Sequence, residues 1–189
     1  MEKKEMLEKV FTTAKAYEMK SGGCAQCALA AILDVLGEKN EGLFKAATGL
    51  ADGVGLTGNG HCGALSGGAM AIGYFYGRDR ENFGDMMKQV KACFLAKKLH
   101  DEFIEKHGTC RCADIQTKMV GRFYNLYDPE EMKAAFKAGM QEKCSTLVGE
   151  TARMALQIIL EEKEKEAKKG KPCLLYTSDA ADEEDSVDL

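Results

Sequence analysis

A glycine-rich stretch that leads directly into an apolar one, residues 53–71, constrains the fold of this chain more than any other feature. Glycines at positions 53, 55, 58 and 60 permit a tightly folded backbone, and apolar residues at helical spacing from Ala64 onward predict a buried helix. Cys62 therefore falls in the first helical turn. The free N–H groups and the helix dipole favour a thiolate there, and thiolates bind metals and redox partners.

Helical periodicity along the rest of the chain predicts an all-α fold, a compact bundle of six or seven helices. The chain of 189 residues has two prolines and few β-branched runs, and no linker divides residues 1–172, which we expect to form one domain. Helices are predicted over about 5–19, 24–36, 41–50, 62–77 and 81–106, and from about 128 and 144 onward. Asp128 and Pro129 are typical of a helix start.

Two details of packing follow from the same patterns. Gly63, Gly67 and Ala71 are four residues apart and should form a ridge that another backbone approaches closely. The helix over 81–106 is predicted to turn a set of apolar side chains inward, and Cys93, which lies on that stripe, should serve only in packing. The set is Phe83, Met86, Met87, Val90, Cys93 and Phe94.

The two ends of the chain and its charge exclude several classes of protein. Residues 173–189 resemble a translated sequencing adapter or an acidic disordered tail, and are left out of the fold. They carry six acidic residues and no basic one, so the remainder has 26 basic and 30 − 6 = 24 acidic residues. This near-neutral body predicts no binding of nucleic acid. We see no secretory signal and no membrane span, and expect a cytoplasmic protein.

Eight cysteines in a reducing compartment favour metal binding or redox chemistry over a disulfide framework. Four places in the chain put sulfur at or beside a predicted helix start. They are Cys24 with Cys27, Cys62, Cys110 with Cys112, and Cys144. Four thiolates that converge from such positions suit an iron–sulfur cluster or a tetrahedral zinc site.

Three alternatives remain open from the residues alone. Cys24 and Cys27 are spaced as in thiol–disulfide oxidoreductases, although no strand–helix–strand pattern surrounds them, and Cys62 is a further candidate for such exchange. A structural zinc ion could be held by Cys24, Cys27, Cys110 and Cys112. A reduced, cysteine-rich core would need no cofactor. Residues 53–58 also match the dinucleotide-binding pattern G-x-G-x-x-G, but no predicted strand precedes them. His61 is a possible ligand or proton carrier.

The cysteine elements resemble the C_GCAxxG_C_C family, whose members are described as redox-active. Residues 62–67 read Cys-Gly-Ala-Leu-Ser-Gly, which is similar to the family's central motif. The segments around Cys24, Cys112 and Cys144 are similar to its first, third and fourth cysteine elements. The resemblance implies a small helical redox protein, related to a region of split-Soret cytochromes that carries an iron–sulfur centre. No enzymatic reaction comes with it, and the chain has no haem-attachment motif.

Residues and resemblance together predict a redox-active protein for electron transfer or redox sensing. Its metal ligands would be Cys24, Cys62, Cys112 and Cys144, with Cys27 and Cys110 as secondary candidates. The amides around Gly60 and Gly63 would stabilise the charge of the cofactor and so tune its potential. An unidentified redox partner protein and a homodimer are the expected partners.

Overall fold

Eight α-helices make up the part of the chain that the structure, a computed structural model, describes: residues 1–169. They are α1 (Lys3–Ser21), α2 (Cys24–Leu36), α3 (Glu41–Ala47), α4 (Gly63–Tyr76), α5 (Val90–His107), α6 (Cys112–Val120), α7 (Pro129–Lys137) and α8 (Met140–Lys169). Short 3₁₀ turns lie at Thr48–Leu50, Arg80–Asn82 and Met86–Gln89.

The all-α prediction is confirmed, whereas the number of helices is slightly wrong. The additional helix is α6, nine residues long, where the sequence predicted only a connection. The start predicted at Asp128 is confirmed, since its side chain accepts hydrogen bonds from the N–H groups of Glu130 and Glu131. The predicted tail, residues 173–189, lies outside the described residues.

Helix α4 lies at the centre of the bundle, in contact with α2, α5 and α8. A Cβ at Gly67 would overlap the carbonyl oxygen of Ala25, and a Cβ at Gly63 would overlap the sulfur of Cys24. The predicted ridge of small residues is therefore confirmed, and α2 is the backbone that approaches it. Gly68, on the other side of α4, makes similar close contacts with α5 and α8 through Leu99 and Ala155.

The inward packing predicted for residues 83–94 is wrong. Helix α5 begins only at Val90, and the segment before it forms two short 3₁₀ turns. Phe83, Met86, Met87 and Phe94 are each about two-thirds to three-quarters exposed, and Cys93 is exposed as well. The buried side of α5 is formed instead by Leu95, Leu99 and Phe103. The apolar stripe is present, but nothing within residues 1–169 covers it.

No helix among residues 1–169 combines the length and the apolar character that crossing a membrane requires.

Candidate metal centre

One cavity of about 330 Å³ is lined by four cysteines from four different helices. Its other lining side chains include Glu18, Asp52 and Gln116, and apolar residues of α6, α7 and α8. The cysteines, which we call the four cavity cysteines, are Cys24, Cys62, Cys112 and Cys144. They are widely separated in the sequence, so only the tertiary fold brings them together.

Three of the four cavity cysteines stand at a helix start. Cys24 and Cys112 are the first residues of α2 and α6, and Cys62 is the N-terminal cap of α4. Cys144 lies further inside its helix than predicted, because α8 begins at Met140. The start of α8 is therefore four residues earlier than the sequence indicated, and Cys144 sits in the second turn rather than the first.

A short backbone pairing holds Cys62 next to Cys112. The N–H of Cys62 donates to the carbonyl of Cys110 at 2.8 Å, and the N–H of Cys112 donates to the carbonyl of Gly60 at 3.0 Å. A single antiparallel bridge between His61 and Arg111 lies between these bonds. The glycine-rich loop therefore fixes the position of α6 as well as that of α4.

The loop before α4 contains five consecutive residues with positive φ, residues 52–56, at angles of 48° to 76°. Three of them are not glycine, namely Asp52, Val54 and Leu56. Left-handed backbone costs an L-residue about 1–2 kcal/mol, and a β-branched residue such as valine rarely adopts it. Strain of this kind persists where the surrounding structure enforces it, and it is concentrated at functional sites.

Hydrogen-bond donors reach the sulfurs of two cavity cysteines. The backbone N–H of Asp52 donates to Cys24 Sγ at 3.4 Å. The side-chain amide of Gln116 donates to Cys112 Sγ at 3.4 Å. Donors to sulfur stabilise a thiolate and raise the potential of a thiolate-bound cluster.

Asp52, Gln116 and Glu18 were not predicted as site residues. Asp52 accepts hydrogen bonds at Oδ1 from the thiol of Cys112, at 2.9 Å, and from the amide of Gln116. Gln116 is four residues after Cys112, so both lie on one face of α6, a spacing that could have indicated it. Glu18 comes from the end of α1, and no local pattern in the sequence marks it.

Burial raises the pKa of all four cavity thiols, which overrides the thiolate preference predicted from the helix starts. For Cys62 the pKa rises to about 11, because the N–H groups of Ala64 and Leu65 offset part of the desolvation. For Cys112 burial is the main cause, and the neighbouring carboxylate of Asp52 adds to it. For Cys24 and Cys144, burial is again the main cause, and the neighbouring charge of Cys62 adds to it. Such thiols become thiolates when a cation binds them.

The other candidate residues lie away from this cavity. Cys27 donates its thiol hydrogen to the carbonyl of Gly22 at 3.1 Å and lines a different pocket, with Tyr17 and Asp34. Cys110 contributes its backbone to the pairing with Cys62 but is not part of the cavity lining. His61 is exposed and lines a separate pocket. The alternative zinc set is therefore not gathered at one place.

Gly60 and Gly63 are placed beside the cysteines but outside the cavity lining. The N–H of Gly60 donates to the carbonyl of Gly53 at 2.9 Å, so it is already used within the loop. Gly63 permits the close approach of Cys24. The structure thus gives both glycines a role in positioning the cysteines.

The spacing of the side chains bears on the kind of metal site. Within residues 1–169, no three His, Cys, Asp or Glu side chains converge closely enough to hold a single metal ion. A tetrahedral ion with metal–sulfur bonds of about 2.3 Å needs its sulfurs within about 4 Å of one another. A cluster of several metal atoms separates its ligand sulfurs further, to about 7 Å.

Comparison with known proteins agrees with the cysteine pattern. The model of a family described as "Putative redox-active protein (C_GCAxxG_C_C)" matches residues 23–158, well over half of the chain. No curated protein and no solved structure matches the chain. The matched range includes all four cavity cysteines and the whole of α2 to α7.

Proposed function

The chain belongs to the C_GCAxxG_C_C family of redox-active proteins, and on this premise we propose that it holds an iron–sulfur cluster for electron transfer or redox sensing. The ligands would be the four cavity cysteines. The observation that carries the proposal is that these four side chains, from four helices, line one cavity. When bound, such a cluster supplies reversible one-electron chemistry.

The chemistry of the cavity fits this cofactor. Four thiols are the usual ligand set of iron–sulfur clusters, and the N–H group of Asp52 with the amide of Gln116 would support the bound thiolates. The apolar lining from α6, α7 and α8 would limit access of water, which also affects the potential.

Two observations favour a cluster over the alternative functions. Single-ion zinc binding is disfavoured because no three suitable side chains within the described residues converge on one point. Thiol–disulfide exchange by Cys24 and Cys27 is disfavoured because the two side chains line different pockets. Burial also raises the pKa of both thiols, whereas exchange needs a thiolate nucleophile.

Anaerobic reconstitution with iron and sulfide tests the proposal. We expect the wild-type chain to bind both elements, with a visible charge-transfer band that a reductant bleaches. Replacing any one of the four cavity cysteines by alanine should reduce bound iron at least about tenfold, as expected when a first ligand is lost. Cys93→Ala is the matched control, since Cys93 is exposed and should leave iron binding unchanged.

Three results would contradict the proposal. Zinc bound by the same cysteines, with no uptake of iron and sulfide, would indicate a structural metal. A reversible disulfide between cavity cysteines, without metal uptake, would indicate thiol–disulfide exchange. Equal iron content in the cavity variants and in Cys93→Ala would show that the four cavity cysteines are not the ligands. Circular dichroism checks that each variant is folded.

A further inference from the structure

Three buried side-chain oxygens line the cavity of the four cysteines and have no hydrogen-bond partner within the described residues. They are Glu18 Oε2, Asp52 Oδ2 and Gln116 Oε1. A buried polar atom without a partner destabilises the fold, so three of them in one place need an explanation. Their presence gives one side of a cysteine-lined cavity an oxygen-rich character.

Gln116 is the residue that joins this oxygen-rich side to the sulfurs. Its side chain is almost completely buried, at 1% exposure. A carboxamide nitrogen has two hydrogens, and that of Gln116 donates to Asp52 Oδ1 and to Cys112 Sγ. The same two acceptors are in contact with each other, at 2.9 Å.

One amide group therefore serves two acceptors that belong to different parts of the chain. Because it donates to both at once, Gln116 fixes the distance between the loop that contains Asp52 and the sulfur of Cys112.

We propose that Gln116 is a positioning residue of the metal centre, which rests on the proposed function. Its amide fixes the positions of Cys112 and Asp52 relative to each other and supplies a donor to one ligand sulfur. Asp52 in turn fixes Cys24 through its backbone N–H. Gln116 and Asp52 together therefore connect two of the four ligands.

Three variants test this assignment in the reconstituted full chain. Gln116→Leu removes both donors, and we expect a lower reduction potential and about half of the wild-type iron content. Gln116→Glu keeps the shape but adds a carboxylate, and iron content should fall at least about tenfold. Adding Asp52→Asn to Gln116→Glu restores one amide to the pair, so most of the iron content should return. A structural role alone predicts no such rescue.

The matched control is Gln157→Leu, a change to an exposed glutamine of α8, which should leave both readings unchanged. If Gln116→Leu has the wild-type potential and iron content, or if Asp52→Asn rescues nothing, the role of Gln116 is excluded while the cluster proposal stands. If the wild-type chain takes up no iron and sulfide, the cluster proposal and this role fail together.

A second inference rests on the exposed apolar residues between Arg78 and Phe94, independently of any cofactor. We call Phe83, Met86, Met87, Val90 and Phe94 the apolar face. Val90 and Phe94 are four residues apart in α5, so they lie on one side of it, and Met86 and Met87 belong to the 3₁₀ turn directly before it. The five side chains expose about 600 Å² by the usual areas of such residues, the upper end for the largest patch on a monomer.

We infer that the apolar face is covered by a second copy of this chain. Its area approaches the roughly 800 Å² per partner of a standard interface. Six of the adjoining charged residues, three basic and three acidic, take part in no ion pair within residues 1–169, so a two-fold arrangement can pair each cation with an anion of the other copy. They are Arg78, Arg80, Lys88, Asp79, Glu81 and Asp85.

Light scattering coupled to size exclusion tests the pairing. We expect the wild-type chain to be a dimer at micromolar concentration, and the double variant Met87→Glu with Phe94→Glu to be a folded monomer. Met132→Glu, an exposed apolar site on α7, is the control and should remain dimeric. A wild-type chain that is monomeric, or a dimer that survives the double variant, would overturn the inference.

Discussion

The two connections that flank α4 have similar lengths and opposite properties. Residues 51–62, before α4, are wound by backbone hydrogen bonds such as those from Gly58 to Asp52 and from Gly60 to Gly53, both 2.9 Å. Residues 77–89, after α4, contain two short 3₁₀ turns and expose Phe83, Met86 and Met87. Helix α4 therefore has two unlike ends. The connection at its N-terminus is held by backbone hydrogen bonds beside the cavity cysteines. The connection at its C-terminus, which we call the open end, exposes apolar side chains.

This difference shows where the fold concentrates local order. Strained backbone, close glycine packing and inter-loop hydrogen bonds all occur at the cysteine end of α4. They fix Cys62 relative to Cys24 and Cys112, which is what a site with ligands from several helices requires. The other end of α4 has no such constraint, and we expect it to tolerate change.

The largest effect should come from glycine substitutions at matched positions on α4. A Cβ at Gly67 would overlap the backbone oxygen of Ala25, so Gly67→Ala should lower the free energy of unfolding by about 3 kcal/mol. A Cβ added at Gly73, toward the open end, would have no atom within 4 Å. Gly73→Ala should therefore raise the free energy of unfolding by about 0.5–1 kcal/mol. Urea unfolding of the metal-free chain measures both. Equal effects would mean that the two ends are packed alike.

Metal loading should stabilise only one of the two connections. With metal at 100 times its dissociation constant, linkage adds about 2.7 kcal/mol, so amide hydrogen exchange in residues 52–62 should slow by about 100-fold where it proceeds through opening of the site. Exchange in residues 77–89 should not change. Hydrogen exchange with mass spectrometry compares loaded and unloaded protein, and uniform slowing of both segments would argue against a local site.

Two valines, one before α4 and one after it, test whether the backbone of the loop before α4 is strained. Val54 and Val90 are exposed to the same extent, 49% and 48%, but Val54 has a φ of 67°. Val54→Gly should raise the free energy of unfolding by about 0.5–1 kcal/mol, because relief of strain exceeds the entropy cost of glycine. Val90→Gly, at the start of α5, should lower it by about 0.5 kcal/mol. A loss of stability in both would show that the loop is not strained.

The smallest effect concerns His107, at the end of α5 nearest the cysteines. Burial lowers the pKa of its imidazole, so below pH 6.5 the unfolded chain binds a proton that the folded chain resists. Stability should therefore fall as the pH decreases through this range, by at most about 1.4 kcal/mol per pH unit. His107→Phe should reduce this slope, because the phenyl ring cannot bind the proton. Urea unfolding at pH 5–8 measures the pH dependence of the free energy of unfolding. An unchanged slope in His107→Phe would exclude a contribution from this histidine.

The sequence was informative about helices and less so about what covers them. Periodicity located seven helices, and glycine spacing predicted the ridge of α4. The prediction from periodicity failed at residues 83–94. A helical apolar stripe indicates a face that should be buried, but it does not show which surface buries that face. Periodicity also missed α6, which is short and has no capping side chain at its start.

For the candidate site, the sequence could name sulfurs but not their neighbours. The predicted helix starts drew attention to six cysteines, and the resemblance to the C_GCAxxG_C_C family selected the four that the structure places around one cavity. Asp52 could not be identified, because its position depends on the left-handed loop, and glycines predict such a loop without showing which other residues share it. The effect of burial on the pKa of the thiols also requires the tertiary structure.

The left-handed loop has a consequence for chemical synthesis. At Val54 and Leu56 the obstacle to the observed backbone is the chirality of the residue itself, because a D-amino acid prefers positive φ. Both side chains could therefore be kept while their configuration is inverted, and a synthetic chain with D-valine and D-leucine at these two positions should fold more stably than the natural enantiomers allow.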